Sequence, residues 1–343
     1  MAFRMPAEWA PHERTWMAWP GPNVTFSDEA ELAASREAWA GVARAVRAYE
    51  PVTMVVGPGQ AAGARELLGP DIEIVERELD DAWMRDIGPT FVKDDESGEL
   101  AAVDWVFNGW GAQGWATWEH DAKIAGIVAD LTGVPTLSSP LVNEGGGIHV
   151  DGEGTVLLTE TVQLGPERNP RWTREQVEAE IHAKLGTTKA IWLPRGLTTD
   201  YPPHGYGTLG HIDIVAAFAA PGVVLVHTQP DPSHPDHEPC KANVELLRAQ
   251  TDARGRPLEV VEVPAPTTVR VDGEWVDYSY INHYLCNGGV VLCAFDDPRD
   301  EEAAELFRGL FPDRTVTLVD AREIFAGGGG IHCITQQQPA AGS

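Results

Sequence analysis

Apolar residues recur at steps of three and four through five stretches, residues 27–49, 119–132, 173–185, 239–253 and 300–310, and each predicts an amphipathic helix. Start signals support several of them. Ser27 precedes Asp-Glu-Ala-Glu, Thr173 is followed three residues on by Gln176, and acidic residues open the last helix, all suited to the positive end of the helix dipole. After each helix comes a short β-branched run, at 52–56, 134–137, 190–193, 258–263 and 315–319, mostly closed by Gly, Pro or Ser.

Between one such strand and the next helix lie paired runs that predict hairpins: 89–93 with 101–107, 148–150 with 156–159, 212–218 with 223–227, and 278–286 with 290–295. Asp151-Gly-Glu-Gly, Ala220-Pro-Gly and Asn287-Gly-Gly supply turn chemistry. Taking Asp86, Ile148, His211 and Ile281 as the starts gives spacings of 62, 63 and 70 residues, a ββαβ repeat. Single strands at 15–19 and 331–336 complete a fifth unit if they pair. The expectation is an α/β five-bladed pseudosymmetric propeller over residues 1–339, its ring closed by the N- and C-terminal strands, with 340–343 a disordered tail. A chain of 343 residues would otherwise suggest two domains.

Composition narrows the function classes. Asp plus Glu number 52 against 25 Lys plus Arg, a formal charge of −27. Such a surface repels nucleic acid and anionic membranes, which are bound through Lys and Arg, and favours encounter with a small cation. The longest apolar stretch, 214–226, is interrupted by Pro221-Gly222 and falls short of the ~20 residues of a spanning helix. The opening residues have no apolar h-region, and the four cysteines, 240, 286, 293 and 333, form no CxxC pair. A reducing cytoplasm is the expected compartment, with neither a disulfide framework nor a structural zinc site.

In a ring of blades the first strands lie near the axis, so residues at their starts meet although far apart in the chain. Those starts read Trp83-Met-Arg-Asp86, Asn143-Glu144-Gly-Gly-Gly-Ile-His149-Val-Asp151, Gly210-His211-Ile-Asp213, Tyr280-Ile-Asn-His283 and Gly327-Gly-Gly-Gly-Ile-His332-Cys333. Carboxylates, a His-x-Asp and a Cys beside glycines form a candidate active site. On a strand, His211 and Asp213 would share one face, with the carboxylate favouring an imidazolium. That imidazolium would raise the thiolate share of Cys333, a better nucleophile than a serine. Trp83 and Trp110 suit either core packing or the face of a planar cation. Cys240, Cys286 and Cys293 read as small core residues; His149, His283 and His332 as hydrogen-bonded structural residues; and His204, His234 and His237 as solvated.

These segments, together with Met5-Pro-Ala-Glu-Trp-Ala-Pro-His-Glu-Arg-Thr-Trp-Met-Ala-Trp-Pro20 and the continuation Ile334-Thr-Gln-Gln-Gln-Pro339, resemble the agmatine deiminase family, close to the bacterial-type peptidylarginine deiminases. The resemblance implies the pentein fold and hydrolysis of a guanidino group to a ureido group with release of ammonia, without metal or organic cofactor; agmatine to N-carbamoylputrescine is the favoured reaction, and another guanidino compound or a peptidyl arginine is the alternative substrate. It implies Cys333 as nucleophile and His211 as general acid/base. It also implies Asp86 and Asp213 gripping the guanidinium, Glu144 supporting the histidine or the substrate, and self-association of the chain. Trp83 completes the expected substrate contacts. The chain departs from the agmatine-type motif Thr-Asn-Gly-His-Val-Asp-Asn in reading Thr208-Leu-Gly-His-Ile-Asp-Ile214. Both flanking Asn positions are apolar, and residues 201–207 lack the expected acids, which bears on recognition of the substrate's far end. Two rival readings are a metal-dependent hydrolase, from His149-x-Asp151 and His211-x-Asp213, and a binding protein that kept the fold without the chemistry.

Overall fold

The computed structural model describes residues 2–202 and 207–342, and His204 lies outside them. Helices form at Glu29–Arg47, Ile124–Thr132, Arg174–Leu185, His237–Arg248 and Asp300–Leu310. The first is capped by Asp28, one residue beyond Ser27, whose carboxylate accepts from the backbone N–H groups of Ala30 and Glu31. Thr173 and Gln176 form a complete capping box on the third. Glu29–Arg47 buries Leu32, Trp39, Val42 and Val46 on one side, the packing that holds a surface helix to its sheet.

Each helix delivers its chain to a strand that pairs parallel with the outer strand of a preceding hairpin. Thr90–Asp94 pairs antiparallel with Leu100–Val106, which pairs parallel with Thr136–Val142. The arrangement recurs at His149–Val150, Thr155–Thr159 and Lys189–Leu193, at Ala216–Ala220, Val223–Thr228 and Glu259–Pro264, and at Tyr284–Cys286, Gly289–Ala294 and Thr315–Asp320. In a further sheet the terminal strand Gln336–Pro339 pairs antiparallel with His12–Ala18, which pairs parallel with Val52–Val56. The two ends of the chain therefore meet in one sheet, as the repeat requires.

Three expectations need correction. The predicted strands at 212–218, 278–286 and 331–336 begin only at Ala216, Tyr284 and Gln336. Their leading residues are turns instead, Ile212–Ile214 being a single 3-10 turn. A helix at Ala61–Leu68 and a strand at Glu73–Glu76 extend the sheet of the chain ends, unforeseen from the pattern. His234 is buried against Trp275, with ring centroids 4.4 Å apart, rather than solvated. Beyond Pro339, the N–H groups of Ala340 and Gly342 donate to the carbonyls of Pro11 and Gly98. Among the described residues no helix is long and apolar enough to cross a membrane.

Candidate active site

Short turns ahead of the inner strands carry the chemistry. Asp86 lies on Met84–Ile87, Glu144 precedes the turn Gly145–Gly147, His211 and Asp213 bracket the start of Ile212–Ile214, and Cys333 follows the glycine run. All five are buried. A turn at the end of a sheet aims side chains along the strand direction, so residues from distant repeats converge there. Close approach depends on missing side chains. A Cβ on Gly146 would sit 2.4 Å from His211 Nδ1 and 2.9 Å from Asp86 Oδ1, and one on Gly329 would sit 2.6 Å from Trp83 Cζ3 and 3.2 Å from Cys333 Sγ.

Asp86 accepts from the Gly146 N–H through Oδ1 at 2.9 Å and from the Trp110 indole N–H through Oδ2 at 2.8 Å. Trp110 occupies a run of left-handed backbone, Gly109 to Ala112, with φ of 67°, 56°, 94° and 51°. Holding Trp110 and Ala112 there costs about 1–3 kcal/mol each, and the strain aims the indole at the carboxylate. Burial pushes Asp86 above the ordinary carboxylate range, with His211 opposing and Asp213 and Glu144 adding to the rise.

Glu144 is fully buried and shared between two cations. Arg168 Nε donates to both its oxygens, at 3.0 and 3.1 Å, and His211 Nε2 lies 3.2 Å from Oε2. Burial works against its charge, yet Arg168 and His211 bring Glu144 below its ordinary value. For His211, burial disfavours the imidazolium, but Asp86, 3.8 Å from Nδ1, together with Glu144 and Asp213 pushes its pKa up to about 9. The partner of His211 is thus Glu144 with Asp86, not Asp213 across a strand face. A 3-10 turn advances about 120° per residue, so residues two apart point different ways.

Asp213 instead turns to the C-terminal segment, its Oδ2 lying 2.7 Å from His332 Nδ1 and 3.6 Å from Cys333 Sγ. Its Oδ1 and His211 Nδ1 are buried without a hydrogen-bond partner among the described residues. Asn282 donates from Nδ2 to Cys333 Sγ at 3.3 Å and accepts from the His332 N–H at 2.9 Å. The thiol is raised well above its ordinary pKa, first by burial, then by the carboxylates of Asp213 and Asp86. The expected rise in thiolate share from the His211 imidazolium is not seen: burial and the carboxylates of Asp213 and Asp86 favour the thiol.

Trp83, Asp86, Trp110, Trp115, Thr208 and Cys333 line a narrow pocket. Trp110 and Trp115 stack at 5.4 Å, and Trp83 packs edge-on to Trp39 at 5.4 Å. The other three cysteines are buried, as core residues should be. The metal-like spacings do not form a site. Asp151 Oδ1 caps its own turn at Glu153 and Thr155, and His149 Nδ1 accepts from the Phe218 N–H at 3.2 Å. Donor atoms of Glu8, His149 and His332 lie within 4.8 Å of one another, but both His332 nitrogens already face carboxylates and Arg85 stands 3.7 Å from Glu8. Reading the sequence missed Arg168, Asn282 and Glu8. Asn282 alone carried a signal, through its place in a strand start.

The chain is similar to known proteins along nearly its whole length. The family model for the Porphyromonas-type peptidyl-arginine deiminase matches residues 4–339. A Streptomyces avermitilis protein provisionally named an agmatine deiminase is 76% identical over 337 residues, 98% of this chain and 97% of that one. The agmatine deiminase of Stutzerimonas stutzeri is 41% identical over 361 residues, covering 98% and 96%. Among solved structures, the agmatine deiminase of Enterococcus faecalis matches with a TM-score of 0.93 at 34% identity, over 99% of this chain and 97% of that one. With the α/β architecture of those structures and a family match along nearly its whole length, the chain belongs to the Porphyromonas-type peptidyl-arginine deiminase family.

Proposed function

We propose that the chain hydrolyses agmatine to N-carbamoylputrescine and ammonia through a covalent thiouronium on Cys333. The observation that carries this is a narrow aromatic pocket lined by Asp86 and Cys333, with His211 3.8 Å from Asp86, Asp213 3.6 Å from the Cys333 sulfur and Glu144 3.2 Å from His211 behind them. A guanidinium is planar, cationic and rich in N–H donors, so Asp86 and Asp213 grip it by charge-assisted bonds while Trp83 and Trp110 wall its faces. The free Oδ1 of Asp213 is an acceptor in want of a donor. A bound cation also offsets the two carboxylates that hold the Cys333 proton, so the thiol ionises when substrate arrives.

Sulfur then attacks the guanidino carbon, giving a tetrahedral adduct. The His211 imidazolium donates its proton to one terminal nitrogen, which leaves as ammonia, and the carbon remains as an S-alkylthiouronium. Neutral His211 takes a proton from water as the hydroxyl adds to that carbon. Collapse passes the hydroxyl proton to the departing sulfur, which restores the Cys333 thiol and yields the ureido product; the proton the thiol gave up at the start leaves with ammonia as ammonium. Glu144 and Arg168 hold His211 in the orientation and charge state that the first half needs.

We read residues 1–339 as one catalytic domain, a five-bladed pentein ring. Support comes from the repeated hairpin-plus-parallel-strand sheets and the pairing of Gln336–Pro339 with His12–Ala18. Ammonia release from agmatine, arginine, guanidinobutyrate and an arginine peptide tests the substrate. Turnover of agmatine above the others is expected. Release from the peptide with none from any free guanidine overturns the assignment.

A further inference from the structure

A chain of buried groups leads from the N-terminal segment to the nucleophile. Glu8 Oε2 lies 2.8 Å from His332 Nε2, His332 Nδ1 lies 2.7 Å from Asp213 Oδ2, and that oxygen lies 3.6 Å from Cys333 Sγ. All four residues are buried, and neither Glu8 nor His332 lines the pocket. A neutral imidazole has one N–H, so with a carboxylate oxygen at each nitrogen only the imidazolium satisfies both contacts. The other groups facing His332 are Arg85, His149, whose ring centroid is 6.1 Å away, and His283. Burial pulls His149 down to about 3 and His283 to about 4, so both are neutral, and Arg85 opposes a charge on His332. Glu8 and Asp213 therefore supply the stabilisation, and they outweigh burial and Arg85 to hold His332 above its ordinary pKa.

We propose that Glu8 and His332 are positioning residues: Glu8 keeps His332 an imidazolium, which pins one oxygen of ionised Asp213 and leaves the other to receive a guanidinium N–H. The inference rests on the reading of Asp213 as a substrate-gripping carboxylate. It makes the N-terminal segment part of the active apparatus, for Glu8 is otherwise tied to the C-terminal half through its Oε1, which accepts from the Leu285 N–H at 2.7 Å. Arg85 ties the same chain down, its Nε donating to the His332 carbonyl at 3.2 Å and its Nη1 to Gln337 at 2.7 Å.

Two measurements on the full chain test this. In ¹⁵N-histidine-labelled wild-type protein, with His332 assigned by its loss in His332→Gln, both ring nitrogens should still give imidazolium signals above the usual histidine range near 6.5. Glu8→Gln, which keeps the shape and an acceptor for Leu285, should lose that state and lower kcat/KM for agmatine roughly 10- to 100-fold, the equivalent of one charged hydrogen bond. The acid limb of its pH profile should move to higher pH, because Asp213 without a neighbouring cation ionises later. A neutral His332 in wild type overturns the proposal, whatever the activity. So does a folded Glu8→Gln variant that melts earlier but keeps the wild-type limb, since a merely structural role would do that. Wild type that releases no ammonia from any guanidine removes the proposed function, and the NMR result alone then decides the state of His332.

Discussion

Replacing Glu144 by Gln should move the alkaline limb of the pH–rate profile to lower pH. Glu144 accepts from Arg168 Nε on both oxygens, at 3.0 and 3.1 Å, and its Oε2 also lies 3.2 Å from His211 Nε2. Burial alone would lower His211, and the surrounding carboxylates instead raise it from 6.5 to about 9. That rise corresponds to about 3 kcal/mol in favour of the imidazolium. A charge-assisted hydrogen bond contributes about 1.5–3 kcal/mol, so losing the one from Glu144 should bring the limb down to between about 7 and 8. The direction follows from the proposed role: if His211 holds the proton given to the departing nitrogen, activity exists below its pKa and vanishes above it. Stability follows the same sign. The share from His211 is fully present below pH 6.5 and is lost as pH rises through about 9. The substitution also leaves the buried Arg168 cation uncompensated, at a cost of about 3–5 kcal/mol. Ammonia release from agmatine over about pH 6 to 10, with thermal unfolding at each end, reads both effects. A folded variant whose alkaline limb coincides with that of wild type would refute the claim that Glu144 sets the charge of His211.

Cys333→Ser should abolish ammonia release while changing the melting temperature little, since the side chain is small and supplies chemistry; loss on Cys286→Ser with Cys333→Ser still active would reverse the assignment. Asp86→Asn and Asp213→Asn should each lower kcat/KM by about 100-fold or more, because each leaves part of a buried cation unpaired; a near-normal rate removes that residue from the site. Gly329→Ala should reduce turnover at least about tenfold, because the new Cβ meets the Trp83 ring at 2.6 Å and Cys333 Sγ at 3.2 Å. Unchanged turnover would show that Trp83 has room to retreat.

Much of the fold was legible because the periodicities are local. Thr173 with Gln176 marked a helix start within one residue, and the strand after each helix fell close to its predicted place. Errors came where glycine interrupts the pattern. Gly210, at φ 113°, lets the chain turn before Ala216, so His211 to Asp213 wind into a 3-10 turn although their apolar neighbours read as strand. Likewise Thr335 donates its hydroxyl back to the Ile331 carbonyl at 2.9 Å, and pairing starts only at Gln336. The helix Ala61–Leu68 follows Gly57-Pro58-Gly59, which closes the strand Val52–Val56, and at eight residues it is too short to show a periodicity of its own.

The site was legible as an inventory of groups and less so as a set of charges. Cys333, His211, Asp86, Asp213 and Glu144 stood out because each sits near a strand start, most beside glycines, and the structure does bring them together. Their partners depend on packing between segments far apart in the chain, which no spacing encodes: Arg168 on Glu144, Asn282 on Cys333, Glu8 on His332. The consequence is chemical. Sequence reasoning placed an imidazolium near the thiol and expected a larger thiolate share, whereas the structure sets Asp213 and Asp86 about the thiol and raises its pKa. Carboxylates close enough to bind a guanidinium must also oppose a neighbouring anion while the site is empty. Grip and nucleophile activation are then one event: the cation that satisfies the carboxylates also removes their opposition to the thiolate. Iodoacetamide should therefore alkylate Cys333 in the empty protein at a rate still climbing beyond about pH 9, the ordinary thiol range being near 8.5. A rate already level at pH 7 would mean a resting thiolate, and the coupling argued here would fail.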